Sequence, residues 1–209
     1  MTISYPLTIP SSPGPRSLKM VLQNLIGETV GEFDGMQQEQ EWPGEWFECQ
    51  ITLPAMLRPQ AEAWCAFLSA LRGKLGTFLL PVYACKNPQG TSTAGNVSGA
   101  NSAGSKILNV TMNGTLVAGD YIEVSDEEGS PIVSTPRLYK VLTSATGGGS
   151  PLTEVGLDIF PRLRGNLVGG ETITFLNPMG LFHLIDNPRA WDVDEAQLFG
   201  ITFNCKEMF

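Results

Sequence analysis

Alternation of apolar and polar residues in two distant segments constrains the fold more than any other feature of the sequence. Residues 47–53 (FECQITL) and residues 199–205 (FGITFNC) both place an apolar residue at nearly every second position. Period two is the pattern of a strand with one buried face. The two segments resemble each other more than they resemble the region between them, so we expect both to belong to one β domain. Its predicted core includes Phe47, Ile51, Phe199, Ile201 and Phe203.

One segment is predicted to be helical. Residues 59–72 (PQAEAWCAFLSALR) start with a proline in the first turn and precede Gly73, a residue type that commonly ends helices. Apolar residues recur at helical spacing through and just beyond this segment, which indicates a buried stripe. The stripe consists of Ala61, Trp64, Leu68, Leu71 and Leu75. Of these, Trp64, Leu68 and Leu71 are assigned to the core of the same β domain.

The middle of the sequence has a different character. Residues 86–105 (KNPQGTSTAGNVSGANSAGS) are almost free of charge and of large apolar residues, which is typical of a loop or linker. Five short strand-like units follow, separated by turn residues, and they suit a small barrel or an OB-like domain. These units span residues 106–111, 120–125, 137–143, 154–160 and 171–176.

We therefore predict a mainly β protein in which one small domain interrupts another. Residues 1–84 and 178–209 are expected to form the first β domain. Residues 85–177 are expected to form the inserted five-stranded barrel. Insertions of this kind are tolerated where the two ends of a loop lie close together.

The segment QQEQEWPGEWFECQITLP surrounds a Pro-Gly pair with tryptophans, glutamines and glutamates. Pro43 and Gly44 suit the centre of a type II turn, because proline presets its φ and glycine accepts a positive one. Residues 36–42 are therefore expected to form a separate strand that pairs back on the next strand.

The polar face of that next strand is the candidate interaction site. Trp46 falls on it together with Glu48 and Gln50, while Trp42 and Glu45 lie beside the predicted turn. A tryptophan in this position either covers the edge of a sheet or contacts a partner, since aromatic residues are enriched at protein interfaces. The residues alone leave both alternatives open.

The sequence offers little for catalysis or for metal binding. His183, the one histidine, lies in the strand-like segment LFHLI, so we expect it to be structural. The four cysteines are widely scattered without a Cys-x-x-Cys motif, which argues against a zinc site. Glu45 and Glu48 could in principle act as a carboxylate pair, but nothing in the sequence fixes their separation. We expect no enzymatic activity, no metal and no cofactor.

Charge and hydropathy exclude further classes. The formal net charge of −8 argues against binding the nucleic-acid phosphate backbone, which requires clustered Lys and Arg, although DNA could pass such a surface without adhering to it. The acidic segment SDEEGSP lacks EF-hand spacing and is expected to be a solvated turn. Neither a signal peptide nor a run of ~20 apolar residues is visible, so we expect synthesis in a reducing cytoplasm and no membrane insertion.

Several segments together resemble a known family. They are WPGEWFECQITLPAMLRPQAEAWCAFLSALRGKLGTFLLP, GDYIEV, LYKVL, FPRLRGN, NPMGLFHL and WDVDEAQLFGITFNCKE. In composition and order they are similar to the distal tail or tail-tip proteins of long-tailed, siphovirus-type bacteriophages and prophages. The similarity spans most of the chain and includes no catalytic signature.

The resemblance implies a tail-tube-like β-sandwich with one flanking α-helix, from which a small OB-like barrel projects. It also implies a homo-oligomer, a hexameric ring at the tail tip of the virion, made in the cytoplasm of the bacterial host. The ring would join the tail tube to the tip or baseplate and let DNA pass through its lumen. Its partners would be the tail-tube protein, the tape-measure protein and the hub or receptor-binding proteins of the tip.

A ring of identical subunits requires two different, complementary surfaces on each subunit. Trp42 and Trp46 are the predicted aromatic anchors of such a contact, with Glu45, Glu48 and Gln50 beside them. Other classes stay open: a carbohydrate-binding β module that uses exposed tryptophans, and a small hydrolase that depends on Glu45 or Glu48. Among virion proteins, a tail-tube subunit or a tail terminator is the alternative.

Overall fold

The computed structural model describes residues 3–125, 135–148, 153–187 and 190–208. Most of the SDEEGSP segment lies outside these residues. The described chain is mainly β with one α-helix, as expected, and that helix is α1 (Arg58–Ala70). The strands are, in chain order, β1 (Leu7–Thr8), β2 (Ser17–Val30), β3 (Gln37–Thr52), β4 (Thr77–Pro81), β5 (Gly95–Val97), β6 (Ile107–Met112), β7 (Thr115–Leu116), β8 (Tyr121–Val124), β9 (Arg137–Val141), β10 (Ala145–Thr146), β11 (Thr153–Phe160), β12 (Thr172–Thr174), β13 (Met179–Leu184), β14 (Trp191–Val193) and β15 (Phe199–Glu207).

The first and last strands of the chain form a seven-stranded sheet. Its order is β1-β4-β13-β15-β3-β2, with β14 paired to β15 beside this path. β1 runs parallel to β4, and the other pairs are antiparallel. The two alternating segments, residues 47–53 and 199–205, therefore lie side by side, because Ile51 of β3 is the partner of Phe203 of β15.

The middle strands form a closed barrel in the order β11-β6-β5-β12-β8-β9, and β7 and β10 pair in a small separate ladder. The barrel has six strands, so the expected number of five is wrong. The extra strand is β5, which lies within the segment that looked like a linker. The sequence pattern does not reveal β5, because this strand begins with a glycine where an apolar side chain would mark a buried position. The barrel requires that glycine, since a Cβ at Gly95 would lie 2.9 Å from Cζ of Phe175.

The chain leaves the seven-stranded sheet and returns to it at neighbouring positions. Pro81 ends β4 and Met179 begins β13, and the two residues are direct partners in the sheet. The backbone N–H of Val82 donates to the carbonyl of Pro178 at 3.3 Å. All the barrel strands lie between these two points.

Two clusters of buried apolar residues stabilise the fold. One fills the barrel, and the other lies between the sheet, α1 and three barrel residues, Tyr121, Leu138 and Phe160. Phe47 of β3 joins the two parts, because its ring centroid lies 5.4 Å from that of Phe160 and 6.2 Å from that of Tyr121. The barrel is therefore packed directly on the sheet.

Aromatic contacts hold α1 on the same face of the sheet. The Trp64 side chain is 0% exposed, and its ring centroid lies 6.2 Å from that of Phe203. Phe67 packs edge-on against Phe78 of β4 at 5.6 Å, a favourable geometry for aromatic pairs. Among the residues expected in this core, Phe199 is half-buried, and the following are buried: Phe47, Ile51, Trp64, Leu68, Leu71, Ile201 and Phe203.

Leu75 departs from the expected helical stripe, because its side chain is 71% exposed. The helix ends at Ala70, and the chain then turns through Arg72 and Gly73, which both adopt positive φ values of 50° and 75°. A residue beyond such a turn no longer follows the helical period.

The expected turn at Pro43 and Gly44 is wrong, because both residues lie inside the continuous strand β3. They occupy an irregularity in the β2–β3 pairing, where Leu25 alone stands opposite three residues of β3. Proline has no N–H to give to the ladder, and a bulge is one of the few strand positions that tolerates it. Gly44 leaves room for the Leu25 side chain, which would collide with any Cβ there.

Candidate subunit interface

The β2–β3 hairpin extends well beyond the sheet to which it belongs. β15 pairs with β3 only from Glu48 to Thr52, whereas β2 and β3 remain paired out to Val30 and Gln37. We call the outer part of the hairpin, residues 25–42, the arm. Its six-residue strand segments reach roughly 20 Å at ~3.3 Å per residue.

The arm exposes large apolar side chains on both of its faces. The Phe33 side chain, at the tip, is fully exposed, and Met36 beside it is 72% exposed. Isolated exposed apolar residues are ordinary, whereas a concentration of them on one projecting element is typical of interaction sites. The exposed set consists of Leu25, Ile26, Val30, Phe33, Met36 and Trp42.

The charged side chains of the arm are all acidic. They are Glu28, Glu32, Asp34, Glu39 and Glu41, and no Lys or Arg occurs in residues 25–42. The arm therefore combines apolar area with a uniform negative charge, which repels a second arm and favours a partner surface with cations.

Carboxylates at the base of the arm bind cations of the barrel. Glu41 Oε1 lies 2.8 Å from Lys106 Nζ and 2.7 Å from Arg162 Nη2. Hydrogen bonds from Lys106 and then from Arg162 lower the pKa of Glu41. Glu45 accepts hydrogen bonds from Arg162 Nε at 3.2 Å and from its backbone N–H at 2.9 Å. These contacts fix the direction in which the arm leaves the body.

A second ion pair joins the barrel to the last strand. Arg164 Nη2 donates to Glu207 Oε2 at 3.0 Å and also to the carbonyl oxygen of Glu45. Glu207 is almost fully buried and also accepts the backbone N–H of Phe47. Burial raises the pKa of Glu207, and Arg164 opposes that rise. The barrel and the sheet are thus joined by charge as well as by apolar packing.

Three of the predicted interface residues share the polar face of β3. Trp46 Nε1 donates to Glu48 Oε1 at 2.9 Å, and Gln23 Nε2 donates to Glu48 Oε2 at 3.1 Å. Gln50 is exposed on the same face, in register between Lys19 of β2 and Asn204 of β15. This face is polar and presents hydrogen-bonding groups rather than apolar area.

The other two predicted residues lie elsewhere. Glu45 points to the opposite face, where it is buried against the barrel through Arg162 and Arg164. Trp42 is exposed on the arm. The alternation that put Trp46 on the polar face also puts Glu45 on the face of Phe47, so the sequence contained the signal that separates Glu45 from the rest.

The apolar residues of the arm tip are not among the interface residues predicted from the sequence. Phe33 stands between two acidic residues and two glycines, in the segment GEFDG. The sequence holds no local signal for the arm, since its strands are exposed on both faces; the structure reveals it through strand length, because β2 and β3 have 14 and 16 residues and strands of ordinary sheets have about 3–10. Two paired strands of that length extend beyond the other strands of their sheet.

The described residues contain no group of three or more His, Cys, Asp and Glu side chains that could hold a metal ion. His183 lies in β13 as the partner of Thr77 and Lys206. Burial lowers the pKa of His183, and the nearby charges of Lys206 and Lys74 lower it further.

Among the described residues, the helix is too short and too polar to cross a membrane. The sequence matches no protein-family model, and no curated protein is similar to it at a significant level.

Proposed function

We propose that this chain is a structural subunit of the tail tip of a long-tailed bacteriophage. In this proposal six copies form a ring that joins the tail tube to the tip or baseplate, and DNA passes through the lumen of the ring. The partners are further copies of the chain, the tail-tube and tape-measure proteins, and the hub or receptor-binding proteins. The work of the protein is assembly, without catalytic turnover.

The projecting arm is the observation that carries the proposal. It places six large apolar side chains on an element that its own chain leaves uncovered. A monomer gains nothing from a two-stranded ribbon of this kind, since an isolated hairpin is marginally stable in water. A subunit of an assembly gains a contact that reaches its neighbour, and burying the apolar side chains there stabilises both copies.

The two parts of the fold suit different tasks within such a ring. The barrel is closed, so its strands leave no free edge for another chain, whereas the sheet ends in the outer strands β1 and β2. We propose that residues 1–84 with 178–209 are the ring-forming, tail-tube-like sandwich domain. Residues 85–177 are then the peripheral OB-like domain.

The net charge of −8 is compatible with passage of DNA through the ring. A surface with excess negative charge repels the phosphate backbone, so DNA would slide past without binding.

Immunogold electron microscopy of virions tests the proposal. Antibody raised against this chain should place gold only at the far end of the tail. Label along the whole tube would indicate a tail-tube subunit instead, and label at the head-proximal end would indicate a terminator. No label on any particle would overturn the structural role.

A glycan array and a thermal-shift assay on the isolated chain test the main alternative. A carbohydrate-binding module should be a monomer whose melting temperature rises with its glycan, because a ligand that binds only the folded state stabilises it. We expect no such rise.

A further inference from the structure

An apolar groove lies beside the first residues of β2. Its volume is about 400 Å³, within the roughly 300–1,000 Å³ typical of binding pockets. The sheet contributes Leu18 and Met20, the segment after β4 contributes Val82, Tyr83 and Cys85, and the barrel contributes Tyr121. The Tyr121 hydroxyl donates to Met20 Sδ at 3.4 Å, which fixes the wall between sheet and barrel.

Two cations belong to the groove or lie next to it. Arg16 lines it and is exposed. Lys140 does not line the groove, but its Nζ lies 5.2 Å from the centroid of the Tyr121 ring, which does. An apolar floor with one cation in its lining and a second beside a lining ring is complementary to an apolar side chain flanked by carboxylates.

The tip of the arm has that chemistry. Phe33 is fully exposed between Glu32 and Asp34. The backbone N–H of Gly31 donates to the Met36 carbonyl at 2.9 Å, and Asp34 Oδ1 accepts the Met36 N–H at 3.1 Å. These bonds order the turn before any partner arrives, which lowers the entropic cost of docking.

The tip cannot reach the groove of its own chain. The groove lies at the start of β2 and the tip lies beyond its end, and the 14 residues of this strand separate the two by roughly 40 Å at ~3.3 Å per residue. A contact between tip and groove therefore joins two copies through different surfaces. Head-to-tail contacts of this type close into rings when the rotation is suitable.

We propose that the groove receives Phe33 from the arm of a neighbouring copy, with Glu32 and Asp34 facing Arg16 and Lys140. This inference rests on the proposed ring and names the contact that closes it. Each copy gives one tip and accepts one tip, so the number of contacts equals the number of subunits.

Sedimentation velocity of purified variants over a range of concentrations tests this contact. Phe33→Ala should raise the dissociation constant of the assembly about 30-fold or more, as expected for loss of a buried aromatic anchor. Val168→Ala, which truncates an exposed apolar side chain on the barrel, is the matched control and should leave assembly unchanged. Circular dichroism checks that each variant is folded.

Charge reversal tests the orientation of the contact. Arg16→Glu with Lys140→Glu should block assembly, as should Glu32→Lys with Asp34→Lys. Combining all four substitutions in one chain should restore assembly, because the charges of the tip and the groove are then exchanged and attract each other again. Failure of the combined variant to assemble while Phe33→Ala assembles normally would overturn the proposal.

Mixing two defective variants gives the sharpest result. A Phe33→Ala copy keeps its groove, and an Arg16→Glu, Lys140→Glu copy keeps its tip. Head-to-tail docking predicts 1:1 heterodimers that grow no further, and absence of heterodimers contradicts it. If the wild-type chain stays monomeric at every concentration while gold marks the tail end, the docking contact is wrong and the tail-tip role stands; if gold is absent as well, both fail.

Discussion

Arg164 and Glu207 form a buried ion pair, with Nη2 and Oε2 3.0 Å apart, between the segment that follows β11 and the last strand of the sheet. Their side chains are 12% and 1% exposed. An ion pair in such surroundings is costly to break, because the remaining charge has lost its water and gains no substitute. The pair therefore makes the barrel and the sheet depend on each other for stability.

Arg164→Met should lower the free energy of unfolding by about 3–5 kcal/mol, since it removes the cation that hydrogen-bonds the buried Glu207 carboxylate. Urea denaturation at neutral pH measures the loss. The matched control is Arg58→Met, which breaks the exposed helix pair between Arg58 and Glu62 and should cost about 0–1 kcal/mol. Equal effects of the two substitutions would contradict a structural role for the buried pair.

Glu123 should make stability depend on pH in a defined direction. Burial raises its pKa, while hydrogen bonds from the Met179 N–H and the Ser125 hydroxyl lower it. The folded protein thus holds a proton that the unfolded chain has released, so this group reduces stability as pH rises through its unfolded and then its folded pKa. Glu123→Gln should remove that decline.

The measurement is the difference in unfolding free energy between Glu123→Gln and the wild type across the acidic range. The difference should shift in favour of the variant as pH rises and become constant above the folded pKa. Glu62→Gln, on the exposed surface of α1, controls for the chemical change. A difference that is independent of pH would show that burial does not perturb Glu123.

Trp64→Ala should destabilise the sheet and helix together. The side chain is fully enclosed among Phe67, Phe203 and the sheet, and truncating a buried tryptophan or phenylalanine costs about 3–5 kcal/mol. Trp42→Ala, on the exposed arm, is the control and should change stability by about 0.5 kcal/mol or less. Thermal unfolding followed by tryptophan fluorescence and circular dichroism distinguishes the two.

Trp46→Ala should weaken assembly while the monomer stays folded. Trp46 is half-buried on the polar face of β3, where its indole N–H is held by Glu48. If this face contacts a neighbour, truncation removes an aromatic anchor and raises the dissociation constant about tenfold or more. Unfolding of the variant would instead assign Trp46 to the core. Gln50→Ala, two positions along the same face, is the milder comparison.

Much of the fold could be predicted because the sheet follows period two and the helix follows period 3.6. The alternation around Phe47 and Ile201 specifies half-buried strands, and the stripe around Trp64 specifies a helix on them. β5 was not predicted because it has only three residues and begins with Gly95, so it shows no alternation of apolar and polar residues. The Pro43–Gly44 turn was wrong because the same two residues also suit a bulge, and only the pairing with β2 decides between turn and bulge.

The candidate site was less accessible to sequence reasoning. The arm is exposed on both faces, so its strands lack the alternation by which half-buried strands are recognised. The partners of Glu45 lie more than a hundred residues away along the chain, at a separation of 117 for Arg162. Contacts of that range depend on how the barrel packs, which no local pattern specifies.

The side-by-side position of Pro81 and Met179 has a consequence for how such a protein can vary. The chain leaves and re-enters the sheet at adjacent residues of one strand pair. Any insert whose two ends lie close together can therefore connect them without disturbing the sheet. A replacement of a different size or fold is therefore compatible with the same sheet, provided that it brings apolar groups to cover Phe47 and cations to meet Glu45 and Glu207. Those three residues form the docking site of the insert on the sheet, and they determine which other inserts could replace it.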